Sequence, residues 1–98
     1  MKIPKSFRVG KKEYKVIEVS IADDPTCVKG GIHYALQEVT IGHYVNRRKM
    51  GERERDSVFW HEALHAMLRD MGSRKNNDEQ FVEGLAQRIT DIIYTARF

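Results

Sequence analysis

The sequence contains one cysteine and no long apolar run. Because Cys27 stands alone, no disulfide can form within the chain, and no Cys-x-x-Cys pair exists to bind zinc through thiolates. The charged N-terminal residues are not followed by the apolar segment of a secretory signal, and no apolar stretch approaches the roughly 18 residues of a membrane span. We therefore expect a cytoplasmic protein without membrane contact, in which any metal site uses nitrogen and oxygen ligands.

An excess of charge of one sign is also missing. The 98 residues include 17 basic and 14 acidic side chains, for a formal net charge of +3. The densest basic stretch, Arg47 to Lys49, leads into alternating charges that are typical of a solvated loop and a first helical turn. This pattern argues against nucleic acid as a partner. Hydrophobic residues make up 41% of the chain, enough for the core of one domain, residues 1–98, but not of two.

The first part of the chain, residues 1–46, is predicted to be rich in β-strands. Phe7–Val9 and Tyr14–Val19 carry β-branched and aromatic residues on either side of a glycine turn, which predicts a hairpin. Ile32–Tyr34 and Gln37–Ile41 predict a second pair of short strands. We expect these segments to form a small, mostly antiparallel sheet.

The second part, residues 52–98, is predicted to contain two helices. From about residue 56 to 71 the apolar positions recur every three or four residues, and Gly72 supplies a stop. A second apolar series, residues 81–93, follows a short polar loop, so the two helices should lie antiparallel or in a V. The expected fold class is α+β. The candidate N-caps of the second helix are Asn77 and Asp78.

The run His61-Glu62-Ala63-Leu64-His65 lies within the first predicted helix. Histidines four residues apart on a helix share one face, so His61 and His65 can direct two imidazole nitrogens at one ion, and zinc suits that geometry. Glu62 points about 80° away from the pair at roughly 100° per residue, where it can reach a water on the open side of the ion as a general base. The alternative is two packed helix histidines beside a solvated glutamate.

A third zinc ligand must come from elsewhere in the chain, and Glu79 and Glu83 are the candidates. Distance from the loop between the helices favours Glu83, because it lies about as far into the second helix as His65 lies from the end of the first. The direction of the side chain around the second helix favours Glu79, because this residue lies nearer the apolar stripe of that helix. We prefer Glu79 as the ligand, and the other carboxylate is expected to support a ligand or to be solvated.

The runs Phe59–Ala66 and Glu79–Ala86 together resemble the small gluzincin-type zinc metallopeptidases, or minigluzincins, that are common in phages and prophages. The resemblance covers roughly residues 30 to 90. It implies that a short sheet precedes the zinc helix and that a following glutamate helix supplies the third ligand. A phage-encoded protein of this kind would work in the cytoplasm of the host.

The residues and the resemblance together predict a minimal zinc-dependent metallopeptidase that acts on a peptide or protein. Glu62 would take a proton from a water activated by zinc, and that water would attack a peptide carbonyl. An edge strand such as Gln37–Ile41 could align the substrate by main-chain hydrogen bonds. The alternative function is a zinc-stabilised phage binding or regulatory module without efficient catalysis. Candidate hydrogen-bond donors to the reacting carbonyl are His33, Tyr34, His43 and Tyr44.

Overall fold

The computed structural model describes residues 1–19, 29–45 and 48–98, and the predicted features at Cys27 and Arg47 lie outside them. A small, mostly antiparallel sheet and two long helices make up this structure, which confirms the predicted α+β class. The elements are β1 (Ser6–Val9), β2 (Lys12–Val19), β3 (Gly30–His33), β4 (Glu38–Gly42), β5 (Tyr44–Val45), β6 (Arg48–Lys49), α1 (Glu52–Asp70), a 3₁₀ turn (Arg74–Asn77) and α2 (Glu79–Thr95).

The main sheet has the strand order β1-β2-β4-β3. Both predicted strand pairs are confirmed: β1 and β2 form an antiparallel hairpin, and β3 pairs antiparallel with β4. The two pairs are joined by parallel pairing of β2 with β4, in which Val16 lies opposite Val39. The expectation that Gln37–Ile41 is an edge strand is wrong, because β4 is hydrogen-bonded on both sides. The edges of the described sheet are β1 and β3.

Helix α1 lies between the sheet and α2 and is buried on two sides. Its sheet-facing residues, Phe59 and Ala63 among them, pack on Val39 and Ile41, which are fully buried. On the opposite side Leu64 and Leu68 pack against α2. Burial on two faces leaves little of the middle of α1 in contact with solvent, so polar side chains there must face a cleft or a partner. The α2 residues of that second cluster are Val82 and Ala86.

Local sequence signals explain most of the helix ends. The backbone of Gly72 adopts φ of +67°, and the Ser73 N–H donates to the Leu68 carbonyl, so a Schellman motif ends α1 where the glycine predicted it. Asp78 caps α2 by accepting a hydrogen bond from the Phe81 N–H at 3.0 Å. The start of α1 is the exception. It begins at Glu52, earlier than the apolar periodicity indicates, because an exposed first turn needs no apolar residues and favours acidic ones.

Polar contacts also join the two helices away from the loop between them. Asp56 is buried on α1 and accepts a hydrogen bond from the Tyr94 hydroxyl on α2. This hydrogen bond, together with burial of the phenol, raises the pKa of Tyr94 to about 12. Arg53 and Asp91 form an ion pair between the same two helices.

Neither described helix combines the length and apolar character needed to span a bilayer.

Strand β3 lies very close to α1, and Gly30 makes this approach feasible. A methyl group built on Gly30 would lie 2.5 Å from Cγ1 of Val58 and 2.8 Å from the carbonyl oxygen of Thr40. The same position is 3.7 Å from Cγ of Glu62. The absence of a side chain at Gly30 therefore sets how closely the edge strand covers Glu62.

Substituting alanine for Gly30 should lower the free energy of unfolding by about 1–3 kcal/mol, because the added methyl group overpacks the contact between strand and helix. The matched control is Gly31→Ala in the same strand, where an added methyl group meets no atom within 4 Å. Chemical denaturation of the two variants checks the prediction. Equal stability of both variants would contradict it.

Candidate metal centre

Helix α1 presents His61 and His65 on one face, one turn apart. Their ring centroids are 5.0 Å from each other, and the rings face the start of α2. The side chain of His65 is 9% exposed and that of His61 is 16% exposed, because α2 covers this face of α1. Two largely desolvated imidazoles need polar partners, and the beginning of α2 supplies them.

The carboxylate of Glu79, the first residue of α2, lies between the two rings. Its Oε2 is 3.0 Å from Nε2 of His61, and its Oε1 is 2.9 Å from Nε2 of His65. One ligand atom from each of the three residues lies within 4.8 Å of the others, so the group could hold a metal ion. Two imidazole nitrogens and one carboxylate oxygen form a donor set typical of a divalent transition metal.

The outer nitrogens of both rings also have partners. Nδ1 of His61 lies 2.7 Å from Oε2 of Glu83, and Nδ1 of His65 lies 2.8 Å from Oδ1 of Asn76. With the Nδ1 proton of each ring donated to these oxygens, the Nε2 lone pairs would be free to bind an ion on the side of Glu79. Glu83 and Asn76 therefore orient the two rings for binding an ion.

The positions of Glu79 and Glu83 follow from the path of the loop between the helices. The 3₁₀ turn Arg74–Asn77 brings the first turn of α2, not the second, level with the two histidines. Glu79, the preferred candidate, therefore reaches both Nε2 atoms, whereas Glu83 lies one turn further along and contacts the outer nitrogen of His61. Counting residues from the loop favoured Glu83, but that count locates a ligand correctly only if both helices start at the same level.

Glu62 is buried beside this group without being part of it. Its side chain is 7% exposed, and among the described residues no hydrogen bond or ion pair engages its carboxylate. Burial raises the pKa of the Glu62 carboxyl above its usual value; His61 and His65 oppose the rise, and Glu79 and Glu83 add to it. The alternative interpretation, in which Glu62 is a solvated glutamate, is therefore wrong on this point.

Two clefts open beside the histidines, and His61 and Glu62 line both of them. One, of about 440 Å³, extends past Ile32 and Tyr34, and the other, of about 490 Å³, extends past Gly30. Since Gly30 and Ile32 belong to β3, the edge strand borders both clefts. The arrangement places a buried carboxylate and a potential metal group at the junction of two openings large enough for parts of a small ligand.

Of the proposed donors to a reacting carbonyl, only Tyr34 lines a cleft at this centre. His33 accepts a hydrogen bond from the Leu36 N–H, His43 contacts Glu18, and Tyr44 lines neither cleft. Asn76 and Arg69 also line the Tyr34 cleft, and neither is among the candidate residues predicted from the sequence. For Arg69 a signal was available, because it follows His65 by four residues on the same helix face. For Asn76 no local pattern exists.

Comparisons of the chain with models of known protein families, with curated proteins and with solved structures returned no match. The resemblance to minigluzincins therefore rests on the motif residues alone and stays an expectation.

Proposed function

We propose that this protein is a minimal zinc-dependent metallopeptidase. The observation that carries the proposal is the convergence of His61, His65 and Glu79 on one point, with the separate carboxylate of Glu62 buried beside them at the junction of two clefts. A purely structural metal site needs no such additional acid. The arrangement supports a hydrolase, since three protein ligands leave a position on the ion for water or substrate.

The donor set supports zinc as the metal. Mg²⁺ and Ca²⁺ prefer sites made entirely of oxygen ligands, whereas two imidazoles and a carboxylate are a common set in catalytic zinc sites. His61, His65 and Glu79 would hold the ion, and Glu83 and Asn76 would keep the imidazoles in place. A bound zinc ion would supply polarisation of a peptide carbonyl and a lowered pKa for water.

The location of Glu62, buried and lining both clefts together with His61, supports the role of general base. Its Oε atoms would accept the proton that water loses as the peptide carbonyl is attacked, and would then return this proton to the nitrogen of the leaving amine. The close approach of β3 at Gly30 contributes to the burial of Glu62, which raises the pKa of its carboxyl. The contact with Asn76 would fix the buried ring of His65 within the metal group.

The edge strand β3 is the natural place for an extended peptide to align. The segment Gln37–Ile41 does not suit this role, because strands on both sides engage its hydrogen-bonding groups. An extended peptide added to β3 would lie beside both clefts, since Gly30 lines one of them and Ile32 lines the other. A cytoplasmic site of action, in a bacterial host if a phage encodes the protein, completes the proposal.

A second candidate function is a zinc-stabilised binding or regulatory module. The observation in its favour is that the metal group joins α1 to α2, so a bound ion would cross-link the two helices. In that case removing zinc would destabilise the protein, but no peptide would be cleaved.

Metal analysis combined with a peptide-cleavage assay tests the proposal. We expect one zinc ion per chain and cleavage of peptides from a mixed-sequence library, with cleavage lost on chelation and restored by added zinc. Stoichiometric zinc without any cleavage would favour the binding module. A folded protein that takes up no zinc would refute both functions.

A further inference from the structure

The cleft beside Tyr34 contains one cation that the proposed chemistry does not use. Arg69 follows His61 and His65 at the same four-residue spacing, so it lies one further turn, about 6 Å, along the same face of α1. It lines the cleft that His65, Glu62 and the metal group also line. A substrate held at the metal centre would therefore lie within reach of this guanidinium.

Arg69 differs from Lys29 and Arg53, the basic residues of the second cleft, because it has no acidic partner within the described part of the chain. Lys29 pairs with Glu54 and Arg53 pairs with Asp91 across the second cleft. No carboxylate of the described residues lies within ion-pairing distance of Arg69, although the arginine is fully able to bind one in a bidentate manner. Its charge is thus available to a ligand.

The guanidinium of Arg69 is also held in place. Its central carbon lies 4.1 Å from the centroid of the Tyr34 ring, a stacking arrangement that restricts an otherwise flexible side chain. The Tyr34 hydroxyl in turn lies 3.4 Å from Oδ1 of Asn76, the same atom that contacts His65. A continuous set of contacts therefore links Arg69, through Tyr34 and Asn76, to a residue of the metal group.

We propose that Arg69, stacked on Tyr34, forms a subsite for a carboxylate of the substrate. At about 3.3 Å per residue in an extended peptide, a carboxylate at Arg69 lies about two residues from a carbonyl at the metal group. A C-terminal carboxylate and an acidic side chain present the same chemistry at this point. The inference rests on the proposed function, because it assigns a specificity to the same cleft.

Equilibrium binding to the zinc-loaded Glu62→Gln variant, which should hold peptides without cleaving them, tests the subsite. The probes are N-acetyl-trialanine with a free C-terminus, the same peptide as its C-terminal amide, and the amide of N-acetyl-Ala-Ala-Glu, each titrated by calorimetry. We expect at least one of the two acids to bind at least about tenfold more tightly than the neutral trialanine amide. The acid that binds more tightly shows whether the subsite takes a C-terminal carboxylate or an acidic side chain.

Substitution of Arg69 separates its contribution from direct binding of the carboxylate to zinc. Adding Arg69→Gln to the Glu62→Gln variant should abolish the preference for the acid. Adding Arg69→Lys, which keeps the charge but loses the planar guanidinium, should retain part of the preference. The control is Arg88→Gln, which changes an exposed arginine on α2 that donates to the Gly84 carbonyl of its own helix.

The outcomes distinguish this inference from the proposed function. Zinc content is measured for every variant, and an absence of zinc from the parent would count against the metallopeptidase. An acid preference that persists in Arg69→Gln, or the absence of any preference in a zinc-containing parent, would overturn the subsite and leave the metallopeptidase proposal standing.

Discussion

Replacing Glu62 by glutamine is expected to lower the rate of peptide hydrolysis by about 10²–10⁴-fold, the usual contribution of a general base. Glutamine has nearly the same shape as glutamate but cannot accept the proton from water. The ligand atoms belong to other side chains, so the variant should bind zinc as the wild type does. The measurements are single-turnover cleavage of a reactive peptide and zinc content by mass spectrometry.

The control for this substitution is Glu52→Gln, which removes an exposed carboxylate from the first turn of the same helix. Its cleavage rate should stay close to that of the wild type. Because Glu62 is buried without a partner among the described residues, its neutral replacement should not reduce stability. Cleavage by Glu62→Gln at the wild-type rate would exclude Glu62 from the mechanism.

Glu79→Gln and Glu83→Gln are expected to differ strongly in zinc affinity although the two residues are one turn apart. Of the two imidazoles, Glu83 contacts the outer nitrogen of His61, and loss of such a supporting carboxylate typically weakens metal binding by about 10–100-fold. Glu79 is the carboxylate that reaches both Nε2 atoms, so its neutralisation should cost more than that. Competition with a chromophoric chelator of known affinity measures both constants.

The pair of variants also decides between the two arguments drawn from the sequence. Thermal unfolding of each metal-free variant serves as the control for folding, since both glutamate side chains are at least half exposed. A greater loss of affinity in Glu83→Gln than in Glu79→Gln would make Glu83 the metal ligand and would reverse the roles inferred from the structure.

Elements that depend on neighbouring residues were predictable from the sequence. The hairpin of β1 and β2, the pair β3 and β4 and both helices follow from periodicity and turn residues, which act over a few positions. The same holds for His61 and His65, since a helix necessarily puts residues four apart on one face. The charges after Lys49 indicated a loop and a first helical turn, but the start of α1 at Glu52 was not fixed, because exposed turns carry no apolar periodicity.

The way in which the two strand pairs join into one sheet was not predictable from local patterns. Parallel pairing of β2 with β4 joins residues distant in sequence, and its register depends on the core that Val39 and Ile41 form with α1. This pairing places β4 inside the sheet and leaves β3 at its edge. Edge strands are therefore a tertiary property, and short alternating segments such as Gln37–Ile41 carry no signal for them.

The sequence by itself determined the helix that carries His61, Glu62 and His65, and the nitrogen and oxygen character of any metal site, because spacing and composition are local properties of the chain. Only the tertiary structure decided that Glu79 lies between the imidazoles and that Asn76 contacts His65. Those contacts depend on the path of the loop and on how α2 packs against α1. Side chains from different elements meet only where packing brings their backbones together, and no spacing along the chain encodes that distance.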